Sequence, residues 1–381
     1  MKIAHIGLAS YYTDGMTYQD NQLAEQNARD GHQVLYVSNA EKYVDGKITA
    51  TGYEDSVLPC GVRLVRLPYQ KILTPFVSGK LRKVRGLYRL LEAFSPDVIL
   101  SHDLCYWSVL DVIRYKKNHP DVKFYADTHT AAYNSGMNWL SLHVLHRKLY
   151  RYLVQRTLPY LEKYFYIGAD EREFNRKNYG VPAEMMEYFP LGGNILSDEI
   201  RQTNRAACRE ELGLAQDELL LLHSGKIDGT KKTEELLPAF AAVPELKAKL
   251  VIIGKIEEDQ KPIVQPLIEA DPRVIFLGWK QSAELQKYLC ACDLYCQPGD
   301  VSATLQNAIC CNSPAMSYPH LAYTEDLDFG NILWVKTQED IESVFRNLAD
   351  GKIDLALLRE GSEHCAREVL DYRALAARLY R

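Results

Sequence analysis

C-D-L-Y-C-Q-P-G-D-V-S-A-T-L-Q-N-A-I-C-C-N-S-P, residues 292 to 314, reads as a short buried strand, a tight turn and a helix. The strand is Leu294 to Gln297 and the turn is Pro298-Gly299. The helix opens near Ser302 to Thr304 and stops at Asn312-Ser313-Pro314. A helix that starts directly after a strand presents unpaired backbone N–H groups and the positive end of its dipole. The amides of Ser302, Ala303 and Thr304 are therefore candidates to hold a phosphate without any side chain.

Asp293, Pro298, Leu305, Ala308, Cys311 and Pro314 fit the frame of a known donor-binding segment. In this the chain resembles the large retaining family of GT-B glycosyltransferases, the family 4 type or glycosyl transferases group 1. There a strand ending in Asp-x-x-x-x-Pro leads through Glu-Gly-x-Gly into a helix beginning Leu-Glu-Ala. Two glutamates seven residues apart hold the donor's sugar and ribose. Here Asn307, with Gln306 beside it, stands where the second glutamate would be, and the shorter turn offers Asp300 as its only carboxylate. The resemblance implies a bound donor diphosphate, with Asp300 and Asn307 as donor contacts. A neutral Asn307 can still hydrogen-bond a ribose hydroxyl.

Working outward, 381 residues suit two domains, each with its own core. A composition of 47% hydrophobic and 25% charged residues is that of a soluble globular chain. The net charge of -5 argues against general nucleic-acid affinity. No apolar run is long enough to span a bilayer and the N-terminus enters a strand pattern at once, so cytoplasmic residence is expected. The nine cysteines are read as free thiols. Cys290, Cys292, Cys296, Cys310 and Cys311 cluster, but without Cys-x-x-Cys pairs they read as buried apolar thiols rather than a zinc site; no metal or cofactor is expected.

Before this stretch the chain alternates strand and helix. A strand from Lys2 to Leu8, a loop from Ser10 to Met16, a helix from Thr17 to Asp30 and a strand from Gln33 to Ser38 open it. Gly15, just before that helix, is either a place for backbone to approach a ligand or a plain turn glycine. The rhythm continues to Lys123–Ala126 and predicts a doubly wound parallel sheet, whose ligands bind beyond the carboxyl ends of the strands. The loops at Ser10 to Met16, Ser101 to Asp103 and Asp127 to Thr130 follow such strands. In the resembling family a histidine after this last strand reaches the donor sugar, and His129 matches it by position; an imidazole suits a sugar hydroxyl or phosphate oxygen. Two segments, Lys80 to Arg89 within a helix expected over Lys80 to Ala93 and His143 to Arg156 within another, are basic and aromatic-rich. They suit either a solvated helix exterior or a peripheral contact with anionic lipid.

Pro190-Leu191-Gly192-Gly193-Asn194 resembles the family's interdomain hinge, and the rhythm then restarts. Leucines 219 to 222 and His223 form a strand, followed by Ser224-Gly225-Lys226 and Lys231-Lys232 before a helix from Thr233 to Ala242. The resembling family has an arginine and, five residues on, a lysine, both on the donor diphosphate; Lys226 and Lys231 hold those positions. Gly278-Trp279-Lys280 falls where the family's backbone meets the nucleobase, though a lone tryptophan also reads as core. The Asp-x-Asp of Asp326 and Asp328 is treated as a loop.

The expected architecture is α/β, GT-B, with two Rossmann-like doubly wound domains facing across a cleft. Residues 1–192 form the acceptor-side domain and 193–365 the nucleotide-sugar-binding domain, while 366–381 form a helix crossing back. The expected reaction moves a hexose or N-acetylhexosamine from a nucleotide sugar, UDP-linked, to a glycan or lipid-linked acceptor with retention and without metal. His129, Lys226 and Lys231 are the catalytic residues of that reading. The alternatives are a nucleotide-sugar-binding subunit without turnover and a sugar-nucleotide epimerase or hydrolase on the same scaffold.

Overall fold

Alternating strands and helices build two sheets, each in its own part of the chain. The computed structural model describes residues 1–13, 18–44, 47–320, 323 and 326–380, so Gly15, with the end of its loop at Met16, lies outside the described residues. Contacts divide the chain into two compact units, Met1–Pro190 with Leu375–Arg381, and Leu191–Ala374.

Among the described residues the first unit holds ten strands: β1 (Lys2–Gly7), β2 (Gln33–Asn39), β3 (Glu41–Val44), β4 (Lys47–Ala50), β5 (Glu54–Val57), β6 (Arg63–Leu67), β7 (Val98–His102), β8 (Lys123–Thr128), β9 (Lys163–Tyr166) and β10 (Met186–Tyr188). Eight form one sheet in the order β10-β9-β8-β7-β1-β2-β6-β5, with β3 and β4 pairing separately. Every pair in the large sheet is parallel except β5 against β6. The central strands read as continuous apolar runs because helices cover both faces; Ile3, Ala4, Ile6, Val98, Ile99 and Leu100 are fully buried. From β1 the chain builds outward to β2 and β6, then returns to lay β7 on the other side of β1. That reversal opens a crevice at the carboxyl ends of β1 and β7, where such sheets bind ligands.

The second unit repeats the scheme with β11 (Leu219–Ile227), β12 (Ala248–Ile256), β13 (Val274–Phe276), β14 (Leu294–Gln297), β15 (Ala315–Ser317) and β16 (Ile332–Trp334). The order is β13-β12-β11-β14-β15-β16, parallel throughout. Its reversal lies between β11 and β14, so the loops following these two strands meet.

Three expectations change. The helix expected over Lys80 to Ala93 is two, Pro75–Leu81 and Leu87–Phe94, because the turn between them passes through Gly86 at φ 87°. Its cations therefore do not share one face: Arg82 turns inward and donates to the Cys105 carbonyl at 3.0 Å. The strand expected to stop at His223 runs to Ile227, which makes Lys226 a strand residue in register with Lys255. Trp279 is not core but 70% exposed. No helix among the described residues is long and apolar enough to cross a membrane.

Candidate functional site

In the second unit the site is built from backbone before side chains. β11 and β12 face each other at Gly225 and Gly254, and a Cβ on Gly254 would lie 1.8 Å from the Gly225 carbonyl oxygen. Only glycine allows the strands to run this close so near their carboxyl ends. After β11 the chain makes a short turn, Gly229–Lys231, whose start is capped by Asp228 accepting from the Thr230 amide at 3.1 Å. The Pro298-Gly299 turn after β14 packs directly on it. A Cβ on Gly299 would sit 2.1 Å from the Thr230 carbonyl oxygen, and the Asp300 amide donates to that same oxygen at 2.9 Å.

Lys231 is carried to the junction of the two loops. Its Nζ donates to the carbonyls of Asp300 at 3.5 Å and Val301 at 3.3 Å, immediately before the helix Ala303–Cys310. Lys232 goes elsewhere, to Glu235, the Lys336 carbonyl and the face of Tyr318. Lys226 is largely exposed, with Glu257 3.8 Å away. A cation over a helix N-terminus concentrates positive potential where a diphosphate would be held.

The helix N-terminus is already partly satisfied. Ser302 is the N-cap and its Oγ accepts from the Thr304 amide at 3.2 Å, while the Ser302 amide donates to the Tyr323 hydroxyl at 2.7 Å. Of the three amides expected to meet phosphate, that of Ala303 alone lacks a protein acceptor among the described residues. Asp300 turns its carboxylate back onto the Val301 amide at 2.7 Å. Asn307 lies one turn along the helix from Thr304, half-buried, and its Oδ1 is 3.4 Å from where a Cβ on Gly193 would be. Beneath the loops Gln297 ties β14 to the turn, accepting from the Tyr295 hydroxyl at 2.9 Å and donating to the Asp300 carbonyl.

His223 supports the same floor. Its Nδ1 donates to the Cys296 carbonyl at 2.7 Å, which leaves Nε2 to accept from the Thr233 hydroxyl at 2.9 Å. Burial pushes the ring down to about 4 against the opposing bond to Cys296. The ring is thus neutral in the fold and free to charge when unfolded. Its contribution to stability is full above about pH 6.5 and falls as pH drops toward 4, by at most ~1.4 kcal/mol per pH unit. Urea midpoints at pH 7 and pH 5 should differ less in His223→Gln than in the wild type; an unchanged difference would remove His223 from the acid sensitivity.

In the first unit two of the loops singled out from sequence, those after β7 and β8, meet at the carboxyl ends of their strands. The Asp103 amide donates to the Asp127 carbonyl at 3.0 Å, and the Thr130 hydroxyl donates to the Asp103 carboxylate. Below them runs a buried chain: His102 Nδ1 donates to Asp127 at 2.7 Å, His102 Nε2 meets His5 Nδ1 at 3.0 Å, and His5 Nε2 meets Asn27 Oδ1 at 2.8 Å. Burial, reinforced by His102, pushes the His5 ring down to about 3. Burial also opposes charge on His102, but the Asp127 carboxylate outweighs it and the ring is raised. A charged His102 donating to a neutral His5 satisfies every bond in the chain.

His129 follows β8, and its Nε2 is buried without a hydrogen-bond partner among the described residues. Its charge is felt by Asp20, which no sequence motif marked. Burial alone would push the Asp20 carboxyl up, but His102, His129 and the Ser10 hydroxyl at 2.9 Å hold it below the usual carboxylate range. The structure therefore groups Lys231, Asp300, Ser302, Ala303 and Thr304 in one unit, with Lys226 and Trp279 at strand ends of the same sheet. His129 and Asp20 stand in the other.

Residues 14–192 match the family model described as Glycosyl transferase 4-like domain, and residues 204–350 that described as Glycosyl transferases group 1. A comparison with curated proteins gives no sequence match. Among solved structures, HepE of Anabaena in complex with UDP is 14% identical over 99% of this chain and 98% of its own, with a TM-score of 0.66. Sucrose-phosphate synthase from Thermosynechococcus elongatus is 16% identical over 99% of this chain and 97% of its own, TM-score 0.66. WaaG, a glycosyltransferase involved in lipopolysaccharide biosynthesis, is 16% identical over the whole of both chains, TM-score 0.61. Likeness at such identities speaks to the fold, while the two family models account for most of the sequence. The chain is a GT-B glycosyltransferase of the glycosyl transferases group 1 family.

Proposed function

We propose that this glycosyltransferase moves a hexose or N-acetylhexosamine from UDP to a glycan or lipid-linked acceptor, with retention of anomeric configuration, in the synthesis of a cell-surface glycoconjugate. The observation that carries the reading is the placement of Lys231 over the carbonyls that precede the helix Ala303–Cys310, at the reversal point of the second unit's sheet. There Lys231, the Ala303 amide and the exposed Lys226 would bind the two phosphates. They would also stabilise the charge that develops as the nucleoside diphosphate departs, work that otherwise falls to a metal ion. Trp279, exposed beyond β13, is available to the base, and Asn307 to the ribose or sugar. Support for UDP comes from HepE, solved with UDP and with UDP-glucose.

His129 is assigned to the transferred sugar, because its buried Nε2 lacks a partner among the described residues. Its role lies in turnover rather than donor affinity. His129→Ala should lower kcat by about 10²- to 10⁴-fold if it acts in proton transfer, and less if it only orients the sugar; the Kd for UDP should change little. Equal turnover would remove the assignment. A second reading, binding without transfer, rests on Asn307 standing in place of a carboxylate. Thermal shifts against UDP, GDP and ADP, followed by release of UDP from UDP-sugars with and without acceptor, separate the two. Selective binding with acceptor-dependent release supports transfer; release without acceptor favours hydrolysis, and binding with no release favours the second reading.

Association with the inner face of a membrane belongs to the same proposal. Met137, Trp139 and Leu140 are 73%, 70% and 61% exposed just before the basic helix that begins at Ser141. An apolar, aromatic edge beside cations suits an anionic lipid surface.

A further inference from the structure

A groove of about 620 Å³ lies beside β6 in the first unit, and none of the residues assigned above to donor or sugar lines it. Its floor is Val65 and Leu67 of β6, with Leu90 from the helix Leu87–Phe94. Tyr69 is held against the floor from both sides, donating to the Leu8 carbonyl at 2.6 Å and accepting from Asn39 at 3.0 Å. Those bonds tie the groove to the carboxyl ends of β1 and β2, the ligand-binding edge of this sheet. Ligand sites commonly have volumes of ~300–1,000 Å³ and apolar linings with a few placed polar groups, and this groove is of that kind.

The charged groups are two cations, Lys71 and Arg85, both exposed, while Gln70 beside them donates to the Val84 carbonyl at 2.9 Å. Neighbouring cations have partners: Arg63 binds Asp55, Arg66 binds Glu54 and Arg82 binds the Cys105 carbonyl. Lys71 and Arg85 have no ion pair or hydrogen bond among the described residues. Two and five residues beyond Lys71, the side chains of Leu73 and Phe76 are 93% and 70% exposed, so apolar surface continues outside the groove.

We propose that this groove binds a phosphate-headed amphiphile, with its phosphate between Lys71 and Arg85 and its apolar chain along Val65, Leu67 and Leu90. The charge selects an anionic head, and the floor selects an apolar tail. A free glycan would leave the floor's hydrocarbon without complement, and a free phosphate would leave the groove unfilled. The inference rests on the proposed function in one respect, that the amphiphile serves as the acceptor or its lipid carrier.

Calorimetric titrations of the full chain with farnesyl diphosphate, farnesol and inorganic diphosphate test it, each with the donor site first saturated with UDP. Farnesyl diphosphate should bind at least tenfold more tightly than either fragment. Lys71→Ser combined with Arg85→Ser should weaken it at least tenfold and leave UDP binding unchanged. Leu90→Asp, which places a carboxylate on the floor, should weaken it by a similar factor. Equal affinity for inorganic diphosphate, or binding indifferent to all three substitutions, would overturn the proposal. The titration with UDP alone reports on the donor reading separately, since none of these residues belongs to the second unit.

Discussion

A Gly299→Ala variant should lose about 1–3 kcal/mol of stability and most of its affinity for UDP. The added methyl would lie 2.1 Å from the Thr230 carbonyl oxygen and 2.7 Å from the Lys231 Cα, and all of these neighbours are backbone. No side chain can rotate away, so the turn after β11 and the turn after β14 must part. Parting them moves Lys231 off the helix N-terminus, which is why binding should fall with stability. Gly361→Ala is the control. Its methyl would meet the Phe329 carbonyl at 2.5 Å, so it should destabilise comparably and still bind UDP under folding conditions. Urea unfolding and UDP titration of both variants make the comparison; wild-type affinity in Gly299→Ala would contradict the packing argument.

Lys231→Ala should weaken UDP by about 1.5–3 kcal/mol, roughly ten- to a hundredfold, the loss expected for a charge-assisted bond to phosphate. Lys231→Arg should recover part of that loss, since charge returns with altered geometry. Lys232→Ala should change affinity little, because its ammonium is committed to Glu235 and the Lys336 carbonyl. Comparable losses at both positions would mean that the turn carries a diffuse basic field rather than one placed cation.

Much of this was legible in the sequence because the site is local. The strand Leu294–Gln297, the break at Pro298-Gly299 and the helix that Ser302 caps each announce themselves within a few residues. What escaped depends on partners distant in sequence. Tyr323 occupies the Ser302 amide from 21 residues away, and the pairing of Gly225 with Gly254 appears only once β11 and β12 are in register. A lone glycine in an apolar strand was the available signal for that close approach. Asp20 carried no motif, and its electrostatic character comes from His102 and His129, more than eighty residues further on. The short polar strands β3, β4 and β5 gave too little alternation to be read. The basic segment around Lys80 reads as one helix from periodicity alone, which cannot show that the chain turns at Gly86 before the second helix begins.

Amide hydrogen exchange of the whole chain, with and without saturating UDP, tests the central claim most directly. If the loops at the reversal point of the second sheet hold the diphosphate, UDP should slow exchange in residues 224–232 and 298–306 more than anywhere else in that unit. Protection that leaves those two segments unchanged, and appears elsewhere in the chain, would contradict the site.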